Sequence, residues 1–310
     1  MLKIKGLYLP MLANRIVTGD VFFLNSSATN TNDDPGNGKD PTKPFATLDY
    51  AQSKATSAND DLLVIGAGHT ETVTGAGGIT FDVDGLSMVG QGRYDSRPTF
   101  LMDGSAITGL VTAANTGIEN VKFVAGHSDI AVGFLVTGKG FKMESCHFGG
   151  NTTNENFVNC VTGSAADNDC DGLELIGNVM DYGADIGPIN PINLLKNSKD
   201  VRIMGNKIIA DLRTSPYAAI YSVNTEVHTN IEIGYNMIHN VHNANSVVGI
   251  SAGSTGSTGW MHHNIVYALD TNGNTPFVSA ATGIVMWDNK FAAAANVSAF
   301  QMPTLGTYAA

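Results

Sequence analysis

Short strings of alternating apolar residues recur along this chain, and five of the later ones run into an asparagine. They read Leu173-x-Leu175-x-x-Asn178-x-Met180, Val201-x-Ile203-x-x-Asn206-x-Ile208, Ile231-x-Ile233-x-x-Asn236-x-Ile238, Met261-x-x-Asn264-x-Val266 and Ile284-x-Met286-x-x-Asn289-x-Phe291. Upstream, Cys146, Val121 and Gln91 stand in the same slot of equivalent strings. The slots at 91, 121, 146, 178, 206, 236, 264 and 289 lie 30, 25, 32, 28, 30, 28 and 25 residues apart. Apolar residues two apart share one face of a strand, and a repeat of this length belongs to an elongated stack of coils. A lone Asn between two strands tolerates the left-handed backbone that turns a corner. Stacked coils would place successive Asn amides about 4.8 Å apart, close enough to bond one another. Cys146, Asn178, Asn206, Asn236, Asn264 and Asn289 are therefore assigned to a structural ladder.

A further apolar strand precedes each slot: Gly109 to Ala113, Phe134 to Thr137, Val158 to Thr162, Ile192 to Leu195, Ala219 to Val223, Val247 to Ser251 and Phe277 to Ala280. Gly, Ser, Asn and Asp-rich turns follow them. The expected fold is all-β: a single-stranded parallel β-helix with three strands per coil, about eight to nine coils and a stack about 34 Å long. Three segments follow: an arm or anchor over 1–20, the β-helix over 21–291 with an N-terminal cap over 21–60, and a tail or cap over 292–310. Within the cap, Val21–Leu24 reads as a strand, 25–43 as a polar loop, and Pro44 to Ala51 as the start of a helix with Pro in its first turn. Phe45, Leu48, Ala51 and Ala55 would share the helical face that plugs the first coil.

Charge narrows the partners. With 17 Lys and Arg against 28 Asp and Glu, the net charge is −11, and the basic residues are scattered. Such a surface repels nucleic acid and anionic membranes. Met1 to Pro10 holds no apolar run long enough for a signal-peptide core or a membrane span, so the chain is expected to stay in the cytoplasm where it is made. Cys146, Cys160 and Cys170 cannot all pair and show no metal spacing; buried free thiols are expected, with a Cys146–Cys160 link as the alternative.

The string Val21-Phe22-Phe23-Leu24, the Asp/Gly loop, Lys43-Pro44-Phe45-Ala46-Thr47-Leu48-Asp49-Tyr50-Ala51 and Leu63-Val64-Ile65-Gly66-Ala67-Gly68-His69-Thr70-Glu71-Thr72-Val73 resemble the opening of right-handed β-helix proteins of the pectate-lyase-like superfamily. More narrowly, with Val83 to Gly92 and Arg97-Pro98-Thr99, they are similar to a set of bacteriophage and viral-metagenome proteins. The resemblance covers residues 16 to 100. It implies a right-handed helix and a virion component assembled as a parallel homotrimer, either a capsid decoration or head fibre, or a tailspike that binds or cuts host surface polysaccharide. Enzymes and inert proteins share this scaffold, so chemistry must be argued from side chains.

Polysaccharide hydrolysis needs carboxylates facing one another across a groove. Asp33-Asp34, Asp60-Asp61 and the Asp167, Asp169, Asp171 group lie in loops and turns, while Asp82, Asp84, Asp181, Asp185, Asp211 and Asp270 form no column of equal slot offset. A solvated surface is the expected place for them. No basic cluster accompanies an acidic one, so lyase residues do not carry over. His228, His239, His242, His262 and His263 crowd the third quarter. They straddle the bend and are expected as surface residues of adjacent coils, with His69 as a turn or cap contact. Tyr217, Tyr221, Tyr235, Trp260 and Trp287 would suit sugar stacking but share no offset. Gly90-Gln91-Gly92 lacks the following helix of a dinucleotide loop. The sequence therefore assigns no catalytic, cofactor or metal residue. It points to a structural virion rod with homotrimer and virion-protein contacts, and to a glycan-binding or glycan-degrading tailspike as the alternative.

Overall fold

The computed structural model describes residues 2–4, 7–9, 18–75, 77–163, 166–182, 188–212, 218–223, 225–241, 248–268, 277–280 and 282–293. Three parallel sheets of 10, 9 and 8 strands wrap one continuous apolar core. The chain passes from sheet 1 (ten strands) to sheet 2 (nine) to sheet 3 (eight) and back, so the eight strands of sheet 3 close eight coils. The strands expected before each slot are those of sheet 3, from Gly109–Val111 to Phe277–Ala280.

Register follows the slots. Residues three before the slot pair in sequence through sheet 1: Met88, Ile118, Met143, Leu175, Ile203, Ile233, Met261 and Met286. Residues two after it pair through sheet 2: Phe123, Phe148, Met180, Ile208, Ile238, Val266 and Phe291. Both columns follow from the two-residue period of a strand, which turns every second side chain inward. The N-terminal coils fill the core with a stack of rings, Phe100 on Phe123 at 6.0 Å and Phe123 on Phe148 at 5.4 Å, whereas the later coils use Ile.

The corner is turned differently from expectation. The slot residues themselves do not have positive φ; from Val121 onward the residue before each one does, as at Asn120, Ser145, Gly177, Gly205, Tyr235, His263 and Asp288. That division frees the slot side chain to point inward, where Asn serves as a bond-forming group. Asn178, Asn206, Asn236, Asn264 and Asn289 are all buried. The Oδ1 of Asn206 accepts the backbone N–H of Asn178 at 2.9 Å and its Nδ2 at 3.1 Å. Asn236 accepts the same pair from Asn206, Asn264 from Asn236, and Asn289 from Asn264. Each Nδ2 also donates to the carbonyl three before the preceding slot, as Asn178 to Met143 at 3.0 Å and Asn206 to Leu175 at 2.9 Å. Cys146 ends the column: its N–H donates to Asn178 Oδ1 at 2.9 Å, but its thiol lies 3.9 Å from the Ile118 carbonyl, a weak contact. Cys146→Asn is therefore expected to extend the ladder by one rung and raise stability by about 1 kcal/mol, measured by chemical denaturation.

The N-terminal cap is built from a shorter helix than the pattern predicts. It spans Leu48–Gln52, with Thr47 at its N-cap, Leu48, Ala51 and Gln52 buried, and the Leu48 N–H held by Glu71 at 3.0 Å. Pro44 and Phe45 lie before it. Phe45 is extended instead, bonding Phe23 and Asn25 through its backbone and bridging Leu24 in parallel. The 25–43 loop covers the edge of the first sheet-1 strand, Val21–Leu24, because Gly38 O accepts the Phe23 N–H at 2.8 Å. Only glycine fits there: φ is +83° and a Cβ would fall 2.0 Å from the Phe45 ring. An edge so covered is closed to strand addition. In the N-terminal arm, Leu2–Ile4 pairs antiparallel with Leu7–Leu9. The last strand runs Lys290–Ala293, and the 294–310 tail lies outside the described residues.

Candidate functional site

One corner of the stack is interrupted. Gln91 keeps the slot register on sheet 1, but Thr99 pairs with Lys122 on sheet 2, so Pro98 holds the register there and residues 92–97 are an insertion at the bend. They form a one-turn helix, Tyr94–Ser96, that stands off the corner and walls a cleft of about 810 Å³. Its lining includes Arg93, Tyr94, Arg97, Glu119, Asn120 and Ser145. Asn120 fastens the insertion by donating to the Gly90 and Gly92 carbonyls at 2.8 and 3.1 Å.

Glu119, which lines the cleft, is one member of a carboxyl pair. Glu119 and Glu144 face each other in register on adjacent sheet-1 strands, about 4.8 Å apart at the backbone. Glu144 is neutralised by Lys142 Nζ at 2.8 Å. Glu119 has no such partner, and its Oε2 is buried without a hydrogen bond. Burial, reinforced by the Glu144 charge and opposed by Lys142, pushes the Glu119 carboxyl up to about 7. Ionising it costs the folded chain more than the unfolded one, so stability is lost as pH rises from about 4.5 to about 7. Glu119→Gln is expected to raise the melting midpoint at pH 8 and leave it unchanged at pH 4, as read by circular dichroism.

A second assembly lies on the outward face of the last coils. Along sheet 1 the column four before the slot reads Lys142, Glu174, Arg202 and Glu232, then changes to Trp260 and Val285. Arg202 forks between Glu232 at 2.9 Å and Glu174 at 3.2 Å in the charged stretch. At the same level of the stack the corner column changes to Tyr235 and His263, and the first outward column of sheet 2 changes from Lys207 to Met237 and Ile265. Tyr235, Val285 and Trp260 are 58%, 56% and 46% exposed. Trp287 stacks on His262 with centroids 4.5 Å apart, and Tyr235 on His263 at 4.7 Å. The aromatic residues without a common offset thus gather because their columns are neighbours. Tyr221 lies apart on sheet 3, and Tyr217 falls outside the described residues.

Several acidic residues expected at the surface are buried and structural. Asp61 receives the N–H groups of Asp20 and Thr56 at 2.6 and 2.7 Å. Asp171 meets Lys139 and Lys199 at 3.4 and 3.7 Å, and Asp211 is buried too. Asp33, half-buried, holds the Ala46 N–H at 2.8 Å, whereas Asp84 stays exposed as expected while holding the Ala114 N–H at 2.7 Å. Asp185 and Asp270 fall outside the described residues. His228 is not on the surface either: it is buried between Ser198 and Ser222, at 2.7 and 2.6 Å, where burial pushes it down to about 4. His69 accepts the Ser26 N–H at 2.9 Å, a cap contact. His262 and His263 touch through Nδ1 at 3.0 Å; His239 lies on sheet 2, and His242 is outside the described residues. Cys146, Cys160 and Cys170 are free and buried, and burial pushes each thiol up to about 12. Glu119 and Glu144 are the pair that the sequence survey missed. Both stand two before a slot, at 121 and 146, where the slots hold Val and Cys in place of Asn.

No known family profile matches the sequence, and no curated protein matches it. Among solved structures, a rhamnogalacturonan lyase matches over 92% of this chain and 90% of its own, at 11% identity and a TM-score of 0.41.

Proposed function

We propose that the chain is a structural rod of a bacteriophage particle, a capsid decoration or head fibre that assembles as a homotrimer. The observation that carries this reading is the apolar edge of the last coils. Six large side chains, roughly half exposed at roughly 150–250 Å² for a whole aromatic, leave on the order of 500 Å² uncovered, the upper end of what a lone soluble chain presents. The edge is convex, with apolar rows on both flanks of the bend. One partner can lie on only one flank, whereas in a cyclic trimer two neighbours cover both. The amide ladder suits a rod because every coil is bonded to the next at its corner as well as along its strands. The phage origin and virion place rest on the resemblance of residues 16–100. Labelling of purified particles with an antibody to this chain tests the reading: capsid labelling supports it, and absence from particles overturns it.

A second reading, a tailspike-like protein that binds or degrades host polysaccharide, draws on the Glu119–Glu144 pair. Retaining glycosidases hold their two carboxyl groups about 5–5.5 Å apart, and adjacent coils provide a similar spacing. Release of reducing ends from host surface polysaccharide, lost in Glu119→Gln, would favour it, as would labelling at the tail tip.

A further inference from the structure

Arg97 stands out among the basic residues of the described coils. Arg202 is bracketed by two carboxylates and Lys142 by Glu144 and Glu174, but among the described residues no carboxylate lies within ion-pair distance of Arg97, and its Nε is buried without a hydrogen bond. A guanidinium N–H buried without a hydrogen bond is costly to the folded chain. Glu119 Oε2 is orphaned against the same cleft. Arg97 and Glu119, residues of opposite type that each leave a buried polar atom without a hydrogen bond, line one cleft whose ligand could meet the rest of both groups. At the lip, Tyr94 is 87% exposed and held at φ +51°, a conformation that is strained for a bulky side chain and persists at ligand clamps. The volume of about 810 Å³ accommodates one or two small rings.

We propose that this cleft binds a sugar acid, a ring compound bearing a carboxylate, with Arg97 pairing the carboxylate, the Glu119 carboxyl donating a hydrogen bond to it, and Tyr94 covering the ring. Arg supplies the planar fork that a carboxylate matches, and an exposed Tyr face suits the apolar side of a sugar ring. The titratable groups beside Glu119 are Glu144, Lys142 and the Cys146 thiol, while Arg93, Tyr94 and Arg97 of the insertion line the same cleft. When Glu119 is neutral, Glu144 and Lys142 offset each other and the two arginines leave the cleft positive. Ionised Glu119 would cancel part of that charge and withdraw the donor. Such binding is compatible with a rod and with an enzyme alike.

Titration calorimetry with glucuronate, glucose and inorganic phosphate tests the proposal on the full chain. Glucuronate is expected to bind at pH 6 and at least tenfold more weakly at pH 8.5. Glucose is expected to give no measurable heat, and phosphate to bind at least tenfold more weakly than glucuronate. Arg97→Gln is expected to lose glucuronate at both pH values, with Arg97→Lys keeping part of the affinity and reporting that the loop is intact. Glu119→Gln is expected to bind with little change between pH 6 and 8.5. The proposal is overturned if glucuronate does not bind, if Arg97→Gln binds it as the parent does, if Glu119→Gln keeps the parent's pH dependence, or if glucose or phosphate binds as well as glucuronate.

Discussion

Replacing Asn206 with Leu is expected to lower the unfolding free energy by about 2–4 kcal/mol, since it leaves the buried Asn178 N–H without a partner at roughly 1–3 kcal/mol and takes from the Leu175 carbonyl a second bond worth roughly 0.5–1.5 kcal/mol. Leu keeps the branching of Asn and is no smaller, so no cavity opens and the loss comes from bonding. The Asn178 N–H loses its Oδ1 acceptor, and the Leu175 carbonyl loses its Nδ2 donor. Asn178 Nδ2 retains Met143, and Asn236 Oδ1 retains the backbone N–H of residue 206, which limits the damage to the two neighbouring coils. Urea unfolding followed by fluorescence measures the effect. A loss under 1 kcal/mol would mean that buried water or a shifted corner replaces the amide at little cost.

The second large effect concerns assembly. Light scattering of the purified chain is expected to give three times its mass of 32.5 kDa. Trp260→Glu combined with Val285→Glu is expected to give the single-chain mass with an unchanged far-ultraviolet spectrum. Both side chains are exposed on the outward face of sheet 1, so the core does not register their loss. Two carboxylates per copy, placed on the same flank of each edge, would face apolar surface and like charge in the assembled state. A parent chain that runs as a monomer, or a doubly substituted chain that remains trimeric, would remove the apolar edge as the contact.

The stacking was legible in the sequence because it depends on two short-range signals. Alternation sets which residues face inward, and a single polar slot fixes where one coil ends against the next. Those signals located the three strands per coil and the ladder from Cys146 to Asn289. The corner geometry was less legible. Tyr235, His263 and Asp288 adopt left-handed backbone without being glycine, so residue type alone points to the Asn beside them. The helix was overextended because Pro44 and Phe45 fit a helical start, while their extended backbone instead adds to the edge of sheet 1.

The cleft was hidden for a related reason. Its carboxyl pair sits before slots filled by Val121 and Cys146, and its wall comes from an insertion that splits one slot into Gln91 and Pro98. Counting offsets before the slot as well as after it brings Glu119 onto Glu144, and Glu232 below Trp260. The orphaned Nε of Arg97 has no counterpart in any spacing rule, since it depends on what the folded chain leaves unpaired. The misplacement of Asp61, Asp171 and His228 has the same origin: loops and turns that read as solvated fold back over the corners and use those side chains to satisfy backbone and hydroxyl groups.

Amide hydrogen exchange, resolved residue by residue, tests the buried amide column most directly. The backbone N–H groups of Asn178, Asn206, Asn236 and Asn264 should exchange only as slowly as the inward strand positions beside them, Leu175, Ile203, Ile233 and Met261. Exchange within minutes at those four slots, while the strands stay protected, would show that side-chain oxygens do not hold them and that the coils are joined by their sheets alone.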